Sequence, residues 1–151
     1  MKPISLPVAV HIVLHKSKEI LLIKRANTGF RDGEWSVPAG RLNSDETIRE
    51  AAAREALEEV GVSILIKNLS KPLVMHYKDG QGERLYFFFG ADKWSKEPWN
   101  VELDKCDEIA WFKSDRLPKL LIPHIRDGIN KVLEGTSYTE YGFKNTKHIE
   151  K

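Results

Sequence analysis

The sequence predicts an α+β fold, a mixed β-sheet flanked by helices, and three observations predict it. Strand-length runs rich in β-branched and aromatic residues fill most of the chain, one long helical segment interrupts them, and one amphipathic helical segment follows them near the end. At 151 residues the chain has the size of one domain, so residues 1–151 are expected to share one core.

The elements follow in order. "PVAVHIVLHK" and "EILLIKRA" are two strand-length runs separated by the polar "SKE", the pattern of a hairpin. "RANTGFRDGEW" supplies glycines, Asn27 and Asp32 as loop chemistry, and "EWSVPAG" is a short strand leading into the helix. The segment Glu46 to Val60 carries four alanines and neither Pro nor Gly; Ser44 or Asp45 can cap its start, and Gly61 stands where a left-handed terminal residue belongs. Further strands are expected at "VSILIKNL", "KPLVMHYK", "ERLYFFFGA" and "DEIAWFK", with "KDGQGE" as a turn. "PHIRDGINKVLEG" is the closing helix, with Ile122, Ile125, Ile129 and Val132 near helical spacing and Gly135 as its stop. The tail "SYTEYGFKNTKHIEK" is polar and is expected to follow the surface or fray.

Bulk composition excludes several classes. With 41% hydrophobic and 30% charged residues the chain is neither disordered nor built for the bilayer, and no apolar run reaches spanning length. Cys106 is the one cysteine, so no intramolecular disulfide can form, and a cytoplasmic location is expected. A net charge of +2, spread along the chain, gives no footprint for a long nucleic acid and leaves room for a small anionic substrate.

The long helix carries the chemistry. At about 100° per residue, Ile48, Ala52, Ala53, Ala56 and Val60 fall on one arc of roughly 140°, the expected buried face. Glu55, Glu58 and Glu59 crowd within two turns, and Glu59 projects inside the apolar arc. Like charges so close destabilise a helix, and buried carboxylates must be protonated, paired or metal-bound. Arg54 can pair with one of them and cannot neutralise three. Oxygen ligands at this spacing suit a hard divalent ion such as Mg²⁺ or Mn²⁺. A solvated charged helix face explains the spacing about equally well when the spacing is taken alone.

The wider pattern separates the two readings. Gly40, Glu46, Arg54, Glu55, Glu58, Glu59, Gly61 and Val62 resemble the Nudix hydrolase signature, G-x5-E-x7-R-E-U-x-E-E-x-G-U with U aliphatic, across Gly40 to Val62. Ala56 at the first aliphatic position is the one soft departure. The resemblance implies an α/β/α sandwich around a mixed sheet, flanked by the helix of the signature and a C-terminal helix. It implies that Glu55, Glu58 and Glu59 hold Mg²⁺, with Mn²⁺ as the alternative, that the carbonyl of Ala39 adds a ligand, and that Glu46 and Arg54 brace the loop and helix behind the catalytic residues. "EPWNVE" is similar to a loop of MutT-type members, which makes Glu102 a further ligand or the base that activates water; Glu55 is the other candidate base. In such enzymes a nucleoside diphosphate linked to a group X is hydrolysed. The MutT-type resemblance favours a nucleoside triphosphate, canonical or damaged, split to monophosphate and pyrophosphate. ADP-ribose, a dinucleotide or a nucleotide sugar is the alternative substrate, and a nucleotide-sensing module without catalysis is the third reading.

Residues that could meet the substrate lie outside the signature. His11 and His15 share a face of the first strand, and a histidine can hydrogen-bond a base. Trp35 and Trp99 could stack on one, although core or rim packing explains each as well. His124 follows the "LP" turn, where MutT-type enzymes contact the base, and Arg25 ends the second strand within reach of a phosphate. A small nucleotide is the expected partner, with the chain a monomer or homodimer.

Overall fold

In a computed structural model that describes residues 1–144, the chain builds strands β1 (Val8–Lys16), β2 (Glu19–Arg25), β3 (Trp35–Ser36), β4 (Ala39–Arg41), β5 (Leu73–Asp79), β6 (Gly82–Ala91), β7 (Cys106–Lys113) and β8 (Tyr138–Tyr141), with helices α1 (Ile48–Val60) and α2 (Pro123–Glu134). The main path of the sheet runs β3-β2-β1-β6-β5-β8, with β4 added to β1 and β7 to β2. β1 and β6 pair in parallel, placing His11 beside Phe88, while β1 and β2 form the expected hairpin through only two residue pairs, at its closed end. The two strands then part: β1 turns the rest of that edge to β4 and β2 turns its own to β3, with β7 on the far edge of β2. Their divergence opens the space in which the site lies.

Period-two alternation divides the core into two layers. Val10, Ile12 and Leu14 of β1 and Phe89 of β6 pack under α1 against Ala52, Ala56 and Val60. Val13 of β1 and Phe88 of β6 face the other way, toward Ile125 and Ile129 of α2. Gly128 lets α2 approach the sheet, since a Cβ there would fall on the Phe88 ring. The arrangement is an α/β/α sandwich, as the signature implied.

Several expectations need correction. Thr47, and neither Ser44 nor Asp45, caps α1: its hydroxyl accepts from Glu50 N–H at 3.0 Å while the Glu50 carboxylate accepts from Thr47 N–H at 2.9 Å. The helix therefore begins after Glu46, which is freed for another task. Ala51 and Glu55 are buried on its inner face, while Ile48 and Ala53 are only partly so, which rotates the inner face from the expected arc. "EWSVPAG" is two strands in two parts of the sheet, interrupted at Pro38. "VSILIKNL" forms no ladder; a single bridge joins Ser63 to Ser95 and a 3-10 turn follows at Ile66–Asn68. Its apolar residues Ile64 and Leu69 are buried under α1 without strand pairing. Tyr138 to Tyr141, expected to follow the surface or fray, instead adds a parallel strand to β5; the rest of that tail, 145–151, lies outside the described residues.

Candidate active site

Two cavities open side by side where β1 and β2 part. The first, about 450 Å³, is walled by Glu55, Glu58 and Glu59 of α1, Ala39 of β4, Arg25 at the end of β2, and Glu102 with Lys105 and Cys106 from the segment entering β7. The second, about 440 Å³, is walled by His11, Arg41, Arg84, Tyr86, Ile122 and His124 among others. Arg25 and Ala39 belong to both walls, so the cavities adjoin.

Local structure explains how the acidic side chains reach the first cavity. Gly61 ends α1 at φ 72°, a conformation that suits glycine, and its missing Cβ leaves the space filled by the indole of Trp99. The last carbonyls of α1 lack helical partners. Two are taken by the loop that leads into β7: Trp99 N–H donates to Val60 and Val101 N–H to Glu59. Those bonds fasten Glu102 beside the helix. On the other side Gly40 provides room, because a Cβ there would overlap the Glu55 carboxylate.

Arg54 organises the rear of the site. Its guanidinium makes a bidentate pair with Glu46 at 2.9 and 2.7 Å, bonds the Arg41 carbonyl at 2.9 Å, and reaches Glu55 at 2.7 Å and Glu58 at 3.3 Å. The Arg54 bond, seconded by the Asn43 N–H, holds the Glu46 carboxyl down to about 2. Arg54 and Glu46 thus tie the loop to the helix, and neither forms part of a cavity wall.

Burial pushes the Glu59 carboxyl well above its ordinary range, and the neighbouring Glu55 and Glu102 push the same way; the Ala39 N–H, which donates to it at 2.6 Å, opposes them. Burial also raises Glu55, with Arg54 opposing. Among the described residues, no three His, Cys, Asp or Glu side chains converge on one point as they stand. Glu55 is turned to Arg54 and Glu59 to the Ala39 amide. Still, the donor set fits a hard divalent ion: four carboxylates share one cavity, and burial raises the carboxyls of Glu55 and Glu59, a cost that a bound cation would offset.

The second cavity has the opposite character. His11 is buried, stacks on Phe88 at 4.3 Å between ring centroids, and leaves Nδ1 without a partner. Burial, and then the nearby His124, bring its pKa down to about 3; burial brings His124 to about 4. Both rings are neutral at pH 7. His124 lies at the start of α2 against Tyr77 and Tyr86. His15 shares the face of His11 and sits farther along β1, against Gly90.

The structure places Trp35 and Trp99, the base-stacking candidates, outside both cavities. Trp35 packs edge-on against Phe112 at 4.9 Å, and Trp99 covers Gly61; neither belongs to the wall of either cavity. Arg41, Arg84 and Tyr86 escaped the sequence reading. Arg84 and Tyr86 alternate with Phe88 along β6, a period-two signal, but the parallel pairing that brings β6 to β1 is non-local. Among the described residues, no helix is long and apolar enough to cross a membrane.

Comparison with known proteins agrees with this geometry. Residues 5–132 match the family model for the NUDIX domain. The chain is 33% identical over 117 residues to an ADP-ribose pyrophosphatase of Methanocaldococcus jannaschii, covering 78% of this chain and 68% of that one. It is 30% identical over 98 residues to the 8-oxo-dGTP diphosphatase of Escherichia coli, covering 65% and 74%. Among solved structures, the MutT NUDIX hydrolase from Burkholderia pseudomallei superposes with a TM-score of 0.74 at 27% identity, covering 85% of this chain and 98% of that one. Members of this family generally use divalent metal ions, and the chain belongs to it as a MutT-type Nudix hydrolase, a pyrophosphohydrolase of nucleoside diphosphate derivatives.

Proposed function

We propose that the substrate is a nucleoside triphosphate, hydrolysed to monophosphate and pyrophosphate with Mg²⁺, or Mn²⁺ in its place. The observation that carries this reading is the pair of adjoining cavities, one acidic and one without carboxylates, joined across Arg25 and Ala39. A phosphate chain laid through the first would leave its nucleoside in the second.

Glu55, Glu58, Glu59 and Glu102 would hold the ion, with the Ala39 carbonyl as a further ligand. When bound, it would offset phosphate charge and make a water more acidic. The residues of the chain do the rest. Glu55 or Glu102 accepts the proton of the attacking water; both line the cavity, and Glu55 is hydrogen-bonded to Arg54. Arg25 faces the phosphates at the junction of the two cavities. His124, neutral and desolvated, offers one donor and one acceptor to the group beyond, and the neutral His11 ring lines the same wall. Arg54 and Glu46 keep the α1 carboxylates in place. The same reading treats residues 1–151 as one hydrolase domain acting in the cytoplasm, as a monomer or homodimer.

A second reading has its own support. The second cavity carries Arg25, Arg41 and Arg84 and no carboxylate, a lining that suits an X group with a further phosphate or ribose, as in ADP-ribose or a dinucleotide. Product analysis across canonical and oxidised nucleoside triphosphates, ADP-ribose, dinucleotides and nucleotide sugars decides between them. Pyrophosphate from a triphosphate as the fastest reaction supports the first; faster cleavage of ADP-ribose or a dinucleotide replaces it with the second.

A further inference from the structure

The loop between β2 and β3 is wound unusually tightly for an exposed segment. Asn27, Gly29, Arg31 and Gly33 all have positive φ, between 50° and 88°. At its centre lies Asp32, whose carboxylate collects the Thr28 hydroxyl at 2.5 Å, the Thr28 N–H at 3.1 Å and the Gly29 N–H at 3.0 Å. These bonds draw the Asp32 carboxyl below its ordinary range, the Thr28 hydroxyl contributing most.

Thr28 is where the loop meets Arg25. A hydroxyl has one hydrogen to give, and the charged Asp32 oxygen at 2.5 Å outcompetes the Phe30 carbonyl at 3.0 Å. With its hydrogen committed, the oxygen accepts from Arg25 Nη2 at 3.0 Å. Arg25 Nε donates to the Phe30 carbonyl at 2.9 Å, and its guanidinium lies 5.6 Å from the centre of the Phe30 ring. Of its five N–H groups three remain uncommitted by the loop. The loop is anchored in turn to the segment that carries Glu102, through Asn27 Nδ2 to the Asp104 carbonyl at 2.9 Å and Ala26 N–H to Lys105 at 2.9 Å. Lys105, the other cation of the first cavity, makes no side-chain hydrogen bond among the described residues. Arg25 is therefore the cation held in a fixed place where the cavities join.

We propose that Asp32 is a positioning residue for the hydrolysis: by fixing the Thr28 hydroxyl it holds the Arg25 guanidinium across the junction of the two cavities, ready for the phosphate chain. Asp32 itself lies outside both cavity walls and acts only through Arg25. The benefit is pre-organisation, since an arginine free to sample rotamers must be ordered on each binding event. The inference rests on the phosphate chain passing Arg25 and holds for a triphosphate or for ADP-ribose alike.

A double-mutant cycle tests it on whichever nucleotide of the panel the enzyme cleaves fastest. Asp32→Ala is expected to lower kcat/KM by about tenfold, and Arg25→Ala by more. In the Arg25→Ala background the same Asp32→Ala change should cost less than about twofold. Asp32→Asn, which keeps one acceptor for the Thr28 hydroxyl, should recover part of the loss. A purely structural role would cost the same factor in both backgrounds, and that result, or no cost in either, overturns the proposal. Should Asp32→Ala fail to fold, Thr28→Val enters the same cycle with the same expectations. The substrate panel and the cycle fail separately: the first by naming a different best substrate, the second by independent costs on that substrate.

Discussion

The two cavities are neighbours of nearly equal size and opposite construction. In the first, three of four carboxylates come from consecutive turns of α1, and Glu102 is delivered by a loop bonded to the end of that helix. In the second, His11, Arg41, Arg84 and His124 come from four elements or their ends, and no acid is present. The half proposed to react is thus concentrated on one rigid element, where spacing fixes relative position. The half proposed to select the substrate is dispersed over several elements. One consequence is that the first cavity holds charges that oppose folding, whereas the second holds uncharged rings that acid would charge.

Breaking the first cavity should have the largest effect. Glu59→Gln is expected to lower turnover by about a thousandfold while leaving the fold intact, and to raise the melting temperature of metal-free protein, because it removes a carboxylate that burial destabilises. Steady-state rates and thermal unfolding in chelator check both halves of that statement. Next comes Gly40→Ala, whose new methyl would occupy the position of the Glu55 carboxylate. Turnover should fall by about a hundredfold with a stability cost of about 1–3 kcal/mol. Unaltered kinetics in a folded variant would mean that Glu55 need not stay where it is.

The second cavity should respond differently. His11→Leu preserves the apolar packing against Phe88 and removes the unpartnered Nδ1. KM should rise about tenfold with kcat within about twofold, since the lost interaction belongs to binding in ground and transition state alike. A selective fall in kcat would place His11 in the chemistry instead. The last effect is on stability against pH and leaves turnover at neutral pH untouched. His11 and His124 have folded pKa values of about 3 and about 4 against an ordinary 6.5, so below 6.5 the unfolded chain binds protons that the folded chain refuses. Stability should fall as pH drops from 6.5 toward 4, by up to about 1.4 kcal/mol per pH unit for each ring. Glu59 acts with the opposite sign: its raised carboxyl costs stability as pH climbs above its ordinary 4.5 in metal-free protein. Denaturant unfolding across pH, with His11→Gln and with Glu59→Gln, separates the two slopes.

Legibility in the sequence followed the same division. The carboxylates of α1 were readable because helical spacing is local, and the hairpin, the later strands β5 to β7 and α2 were readable from their periods. The helix cap was misplaced because Ser44, Asp45 and Thr47 are all competent, and only the reciprocal Glu50 bond decides among them. "VSILIKNL" has strand composition, yet its apolar residues are used to fill the space under α1, a tertiary demand that propensity does not encode. Trp35 and Trp99 were ambiguous for a similar reason: whether an indole packs or stacks on a ligand depends on the partner, here Phe112 and Gly61. Arg84 and Tyr86 could not be placed without the parallel pairing of β1 with β6, a contact between segments more than seventy residues apart.

The first cavity, as proposed, is a divalent-cation site made by its carboxylates. Titration of metal-free protein with Mn²⁺, followed by loss of the free-ion electron paramagnetic resonance signal, tests it without reference to substrate. Saturable binding to the unaltered chain is expected, weakened at least about tenfold by Glu59→Gln and unchanged by Trp35→Phe, a residue outside the cavity. Equal Mn²⁺ affinity in the unaltered chain and in Glu59→Gln would contradict it.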